Sequence, residues 1–257
     1  MNRHLPPFFY KVLCVALALM IWEAVARLNV FSSFIFPSIT ATVSYSTSNF
    51  DKLLQATWRT LKLLLSGLTV SCIIALTMGG LSAVSAKVKA AMTAFTSILN
   101  PIPSISMLPF AILWFGLGEK PIIFITLFGS FCPFYINIIN GFSTVNPKLI
   151  DVGKIYGLKG FKLIQHIIIP ASFPHLLTGF RGAWGIAWRS VVAAELVFGA
   201  VGGEGGLGWL IYINRFQLNA AGMLATLFCI SVIGIFMENV LLETIEKRTV
   251  VKWGMKT

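Results

Sequence analysis

An all-α polytopic membrane protein, with about six transmembrane helices and both termini on the cytoplasmic side, is the fold the sequence predicts. Three observations carry it. The 257-residue chain is 56% hydrophobic and only 11% charged, whereas soluble domains carry about 25% charged residues. Its apolar residues gather in runs of about twenty, the length a helix needs to cross a bilayer. Its lysines and arginines fall mainly between those runs, where they orient a membrane protein.

The net charge of +11 is spread over several turns and not gathered into a compact patch with interleaved aromatics, so nucleic acid is not an expected partner. Cys14, Cys72, Cys132 and Cys229 all lie within apolar runs and form no CxxC pair, which reads as small buried hydrophobes. His4, His166 and His175 have no ligand spacing. No Walker A loop, HExxH or GxSxG is present. The chain shows no chemistry, metal site or cofactor of its own.

Phe8 to Leu28 is the first span. Ala24-Val25-Ala26 resembles a signal-peptide cleavage site, but Trp22 and Glu23 fall where small residues belong. Residues 29–58 are rich in Ser, Thr and Asn and read as an external loop with room for a short interfacial helix. Leu61 to Val84 is the second span, with Gly67, Gly79 and Gly80 where close helix approach is expected. Lys87 and Lys89 mark a cytoplasmic turn.

Ala90 to Gly118 holds Pro101, Pro103 and Pro109 in an apolar run. Proline removes intrahelical hydrogen bonds, so a kinked or partly unwound segment is expected. Such backbone is tolerated in lipid only where protein or a water cavity satisfies it. An ordinary proline kink is the alternative.

Glu119-Lys120-Pro121 is an external turn and Ile122 to Phe142 the fourth span. Residues 176–200 form the fifth, carrying Arg181, Arg189 and Glu195. Val201 to Gln217 reads as a Gly-rich external loop; it lacks the Lys-Ser/Thr of a phosphate cradle. Asn219 to Leu242 is the sixth span, followed by a basic tail. Cations number about twelve on the face of the two termini and about six on the other, which sets the orientation.

The interval Ile150 to Pro170, IDVGKIYGLKGFKLIQHIIIP, cannot sit in lipid. Lys154, Lys159 and Lys162 stand there, with Lys148 just before it, against Asp151. A short helix, a turn at Gly157 and a second helix ending at Pro170 make a compact cytoplasmic knob. Asp151 is expected near a helix N-terminus, where a carboxylate suits the dipole. Gly157 is expected to supply both backbone freedom and close approach.

This interval resembles the cytoplasmic signature of ABC importer permeases: E-A-A, three residues, G, nine residues, I-x-L-P. Asp151-Val152-Gly153 holds the E-A-A places, Gly157 the glycine, and Ile167 to Pro170 the end. Pro170 to Pro174 resembles the LPAALP of the nitrate/sulfonate/taurine branch. Gly179-Phe180-Arg181 resembles its GLR, Ala193-Ala194-Glu195 its A-A-E, and Gly206 to Leu210 its GLGYL. Pro103 to Gly118 resembles its proline-rich W-F-G run. These motifs cover about residues 60–245.

The resemblance implies a transmembrane domain over 59–245, preceded by a helix and external loop (1–58) and followed by a cytoplasmic basic tail (246–257). It implies a multi-pass protein of the bacterial inner membrane. The knob would be a coupling helix that docks on an ATPase through Asp151, Val152, Gly153, Gly157, Ile167 and Pro170. Two permease copies, as a homodimer, would form the pathway over two ATPase subunits that hold ATP and magnesium. A periplasmic or lipid-anchored binding protein would deliver a small solute, and the lysines would face the ATPase or anionic lipid. ATP binding would turn the pathway outward, and hydrolysis would reset it.

Charge inside a bilayer is costly and marks function, so Arg189, Glu195, Arg181, Trp188, Pro103 and Met107 are the pathway candidates. Cations there suit a sulfonate, taurine, nitrate or bicarbonate-like anion. The competing readings are structural: Arg181 reaching to headgroups, Arg189 pairing with Glu195 or a carbonyl, Trp184 and Trp188 packing. A self-contained secondary transporter or channel is the alternative function. It calls for inverted repeats and paired broken helices, and neither is evident.

Overall fold

The computed structural model describes residues 7–28, 32, 34–198 and 205–251. All regular structure among them is helical: α1 Pro7–Arg27, α2 Ile39–Ser48, α3 Phe50–Val84, α4 Ala86–Leu99, α5 Leu108–Phe115, α6 Glu119–Ser143, α7 Pro147–Ile155, α8 Gly160–Leu163, α9 Ile169–Phe198, α10 Leu207–Phe216, α11 Ala220–Ile235 and α12 Glu243–Glu246. Four stretches are long and apolar enough to cross a membrane: Phe50–Val84, Glu119–Ser143, Gly160–Val197 and Ala220–Thr249. The bent pair Ala86–Leu99 and Ser104–Phe115 makes a fifth if counted as one span.

The end of α1 is tied to the start of α2. The Trp22 indole donates to the Pro37 carbonyl at 3.0 Å and stacks on Phe36. Glu23 accepts from the Ile39 amide at 2.7 Å, joining Ser38 in capping α2. The expected helix within 29–58 is therefore present, but only Asn49 separates it from α3, which starts at Phe50 and not at Leu61. Leu53, Ala56, Thr60, Leu63, Leu64 and Gly67 are buried along one stripe. That three-and-four spacing carries the helix past Arg59 into the stretch expected as a loop.

The core is α6 held between α3 and α9, with Leu64, Ile125, Tyr135, Ile138 and Val191 fully buried. α3 and α6 run parallel, and small residues set their distance. A Cβ on Gly67 would meet Thr126, and one on Gly79 would meet Ile138. The Ser82 and Tyr135 hydroxyls bond across the same seam at 2.8 Å.

The proline-rich run is broken as expected. α4 and the helical stretch Ser104–Phe115 meet at 90°, and Pro101 and Pro103 occupy the elbow. Pro109 does not kink a helix. It stands in the first turn of α5, where a missing N–H costs nothing.

Four expected boundaries move. The helix after the knob does not stop at Pro170, and the fifth span does not begin at 176: Gly160–Val197 is one 38-residue helix. A π-helical turn, Ile164–Ile168, precedes the proline. The wide turn makes room for the ring, and Ser172 donates to the Ile168 carbonyl at 2.7 Å. Of the expected loop 201–217, residues 207–216 form α10, while 201–204 lie outside the described residues. The last span starts where expected, with Asn219 capping α11 through the Gly222 amide at 3.0 Å. It runs past Leu242 through π-helical turns to Val251; Lys252 and Lys256 of the basic tail, like Arg3 and His4, lie outside the described residues.

Candidate functional site

The knob is built by two glycines with different tasks. Asn146 caps α7 by accepting from the Lys148 amide at 3.0 Å, and Pro147 follows as its first residue. Asp151 therefore lies in the second turn, not at the N-terminus, and pairs with Lys154 at 3.3 Å on an exposed face. α7 ends in a Schellman motif: the Leu158 amide donates to Gly153 O at 3.0 Å and the Gly157 amide to Lys154 O at 2.9 Å. Gly157 is the left-handed residue this motif requires, at φ +79°. A Cβ there would meet nothing within 4 Å, so its role is conformational only. Close approach belongs instead to Gly153, where a Cβ would sit 2.7 Å from Leu163 and 3.0 Å from Ile167. Val152 is half exposed, and Pro170 lies nearly three turns up the following helix.

This packing leaves an apolar tip largely uncovered by its own chain, although Phe161 comes near Gly80 of α3. Ile155 is 83% exposed, Tyr156 82% and Phe161 69%. Motif spacing passed over these residues. The signal for them was apolar side chains flanking a glycine turn inside an otherwise basic interval.

Within the membrane the candidate residues separate into five places. Arg189 and Pro103 come together at the elbow, in a cavity of about 400 Å³ also lined by Asn100, Ser104, Gly129 and Ser190. Arg189 donates from Nε to the Gly185 carbonyl at 2.9 Å. Arg181 is instead paired with Glu246 at 3.0 Å, fastening α9 to the last span. Trp188 is buried beside Gly234 of α11, a packing position. Met107 lines a separate apolar cavity of about 440 Å³ with Trp114, Phe128 and Phe131.

Glu195 does not meet Arg189. It is 2% exposed and accepts from the Thr60 hydroxyl at 2.9 and 3.0 Å and from the Gly208 amide at 3.0 Å. Thr60 in turn accepts from the Leu207 amide at 2.9 Å. The carboxylate and hydroxyl thus hold the N-terminus of α10, where unpaired amides and the helix dipole favour negative charge. A side chain on Gly206 would fall on Glu195 and Thr60, and one on Gly208 would strike the Val192 carbonyl. The A-A-E and G-L-G-W-L segments are therefore two halves of one contact.

The family of binding-protein-dependent transport system inner membrane components matches residues 67–250. This chain belongs to that family. A Methanocaldococcus jannaschii protein described as an ABC transporter permease is 32% identical over 234 residues, covering 89% of this chain and 86% of its own. The Bacillus subtilis SsuC protein, described as an aliphatic sulfonates transport permease, is 27% identical over 94% of this chain and 86% of its own. The taurine transport system permease protein TauC of Escherichia coli is 24% identical over 87% and 82%. Among solved structures, an inward-facing MetNI methionine ABC transporter shares the fold, with a TM-score of 0.66 and 20% identity over 80% of this chain and 97% of that one. The protein is a multi-pass inner-membrane permease subunit of an ABC importer, related to the sulfonate and taurine permeases, and it is not an enzyme. Such a subunit works with an ATPase and a binding protein.

Proposed function

We propose that this permease carries a small anionic solute, sulfonate-, taurine-, nitrate- or bicarbonate-like, across the plasma membrane of a bacterium. Two copies form the pathway over two ATPase subunits. ATP and magnesium stay on those subunits. Six spans per copy, with α1 as the first, place both termini and the knob in the cytoplasm; at 21 residues, α1 is about 31 Å long and sufficient to cross. Residues 59–245 form the transport domain between an N-terminal helix with its external segment and a basic tail. A binding protein delivers the solute at the opposite face.

The observation that carries the coupling role is the tip. Ile155, Tyr156 and Phe161 project from a knob fixed by Gly153 and Gly157, an apolar surface suited to a groove on a soluble partner. Arg189 carries the choice of an anion, because a guanidinium beside a cavity in the bilayer is costly unless used. Pro103 shapes that cavity. Glu195, Arg181 and Trp188 serve the scaffold around it, and Met107 lies in the neighbouring apolar cavity.

The test is Gly157→Glu. The substituted residue must adopt positive φ at a cost of about 1–2 kcal/mol, and it adds a charge at the tip. The variant permease is expected to insert and accumulate while the ATPase no longer co-purifies. Co-purification at the wild-type level would remove the coupling assignment.

A further inference from the structure

The elbow cavity contains a hydroxyl pair that no family motif singled out. Ser104 Oγ and Ser190 Oγ are 2.7 Å apart, joining the start of the stretch Ser104–Phe115 to α9. Elsewhere in the core a helical hydroxyl commonly returns to its own backbone: Ser130 donates to Thr126 O, Ser172 to Ile168 O and Thr226 to Gly222 O. Ser190, 5% exposed, bonds across helices instead. Gly129 of α6 makes this possible. A Cβ there would lie 2.9 Å from Ser104 Cβ and 3.0 Å from each hydroxyl oxygen, so one methyl would force the pair apart.

Two hydroxyls bonded to each other use one proton between them. The second proton is free to turn into the cavity. Arg189 lines the same cavity and gives Nε to Gly185 O; its terminal amines remain donors, one of them on the Gly185 side, where the Glu238 carboxylate of the last span also approaches. Charge, planar donors and a hydroxyl donor at one wall are what a dehydrated oxyanion needs in place of its water.

We propose that Ser104 and Ser190, brought together over Gly129, and Arg189, which lines the same cavity, grip the oxyanion head of the transported solute, and that Gly129 sets the size of head the site accepts. The inference rests on the anion-pathway reading above and adds the specificity-determining residues to it.

The experiment uses the assembled permease–ATPase complex in detergent, titrated with ethanesulfonate and with nitrate, and followed by thermal shift. Wild type is expected to be stabilised by at least one of the two. Ser104→Ala and Ser190→Ala are expected to weaken apparent affinity for that anion about tenfold, the worth of one hydrogen bond to a charge, with the ligand-free midpoint little changed. Gly129→Ala is expected to weaken the bulkier sulfonate more than nitrate. Wild-type affinity in both serine variants overturns the inference. If Arg189→Gln abolishes binding in the same series, the anion-pathway reading survives alone. If Arg189→Gln also binds normally, both fall. Failure of wild type to bind either anion overturns the oxyanion assignment as well.

Discussion

Glu195 shows how much one buried carboxylate can organise. Its oxygens face only donors: the Thr60 hydroxyl and the Gly208 amide. Replacing it with Gln puts an N–H₂ group among them, so at least one donor loses its acceptor. Each such loss costs about 1–3 kcal/mol in a buried site. Glu195→Gln is therefore expected to lower the thermal midpoint of the purified complex without preventing assembly. An unchanged midpoint would mean that α10 is held by something else. The sequence marked Glu195 as important because it is a charge in an apolar run. Its partners were not legible, since Thr60 lies 135 residues away. Arg181 was legible to the same extent: its place was visible in the sequence, and its pairing with Glu246 was not.

At the scale of elements, the knob depends on how closely α7 lies against the helix that follows it. Gly153 sets that distance through Leu163 and Ile167. Gly153→Val would insert two methyls where one Cβ already collides, and overpacking of this kind costs about 1–3 kcal/mol. It is expected to displace α7 and reduce ATPase co-purification, while Gly153→Ala does so less. Equal co-purification of wild type and the Val variant would show that the contact tolerates a shift. The spacing of the signature gave the knob, its turn and its position in the chain. It did not separate the tasks of Gly153 and Gly157, because a steric need and a conformational need both appear as glycine. Pro170 misled for a related reason. A proline ends a regular α-helix, but a π turn just before it lets the helix continue, and the sequence does not advertise that turn.

For the whole molecule, an all-helical chain with a proline-broken segment was legible from hydrophobicity and proline placement, since the bilayer constrains both; the count was not, six spans being expected where four stretches, or five with the bent pair, are long and apolar enough. How the helices associate did not follow. It rests on small residues at seams, and Gly67 and Gly79 facing α6 are the central case. Apolar side chains gain little by leaving lipid for each other, so close packing must supply the association energy. Gly79→Leu would hold α3 away from Ile138 and disturb the Ser82–Tyr135 bond one turn on. The variant is expected to accumulate poorly in membranes, with protease sensitivity rising throughout the chain; normal yield and resistance would show that the α3–α6 seam does not depend on close approach at Gly79. α10 was missed at this scale because ten residues are too few to register as a span.

The unbroken helix from Gly160 to Val197 also has a mechanical meaning. Between Ile164, beside the knob, and Glu195, beneath α10, lie about 46 Å of helix with no loop. A tilt of about 5° at the first end displaces the second by about 4 Å, more than a hydrogen-bond length. On the proposed coupling role, Gly153, packed against Leu163 and Ile167, and Glu195 would stand at the two ends of one lever.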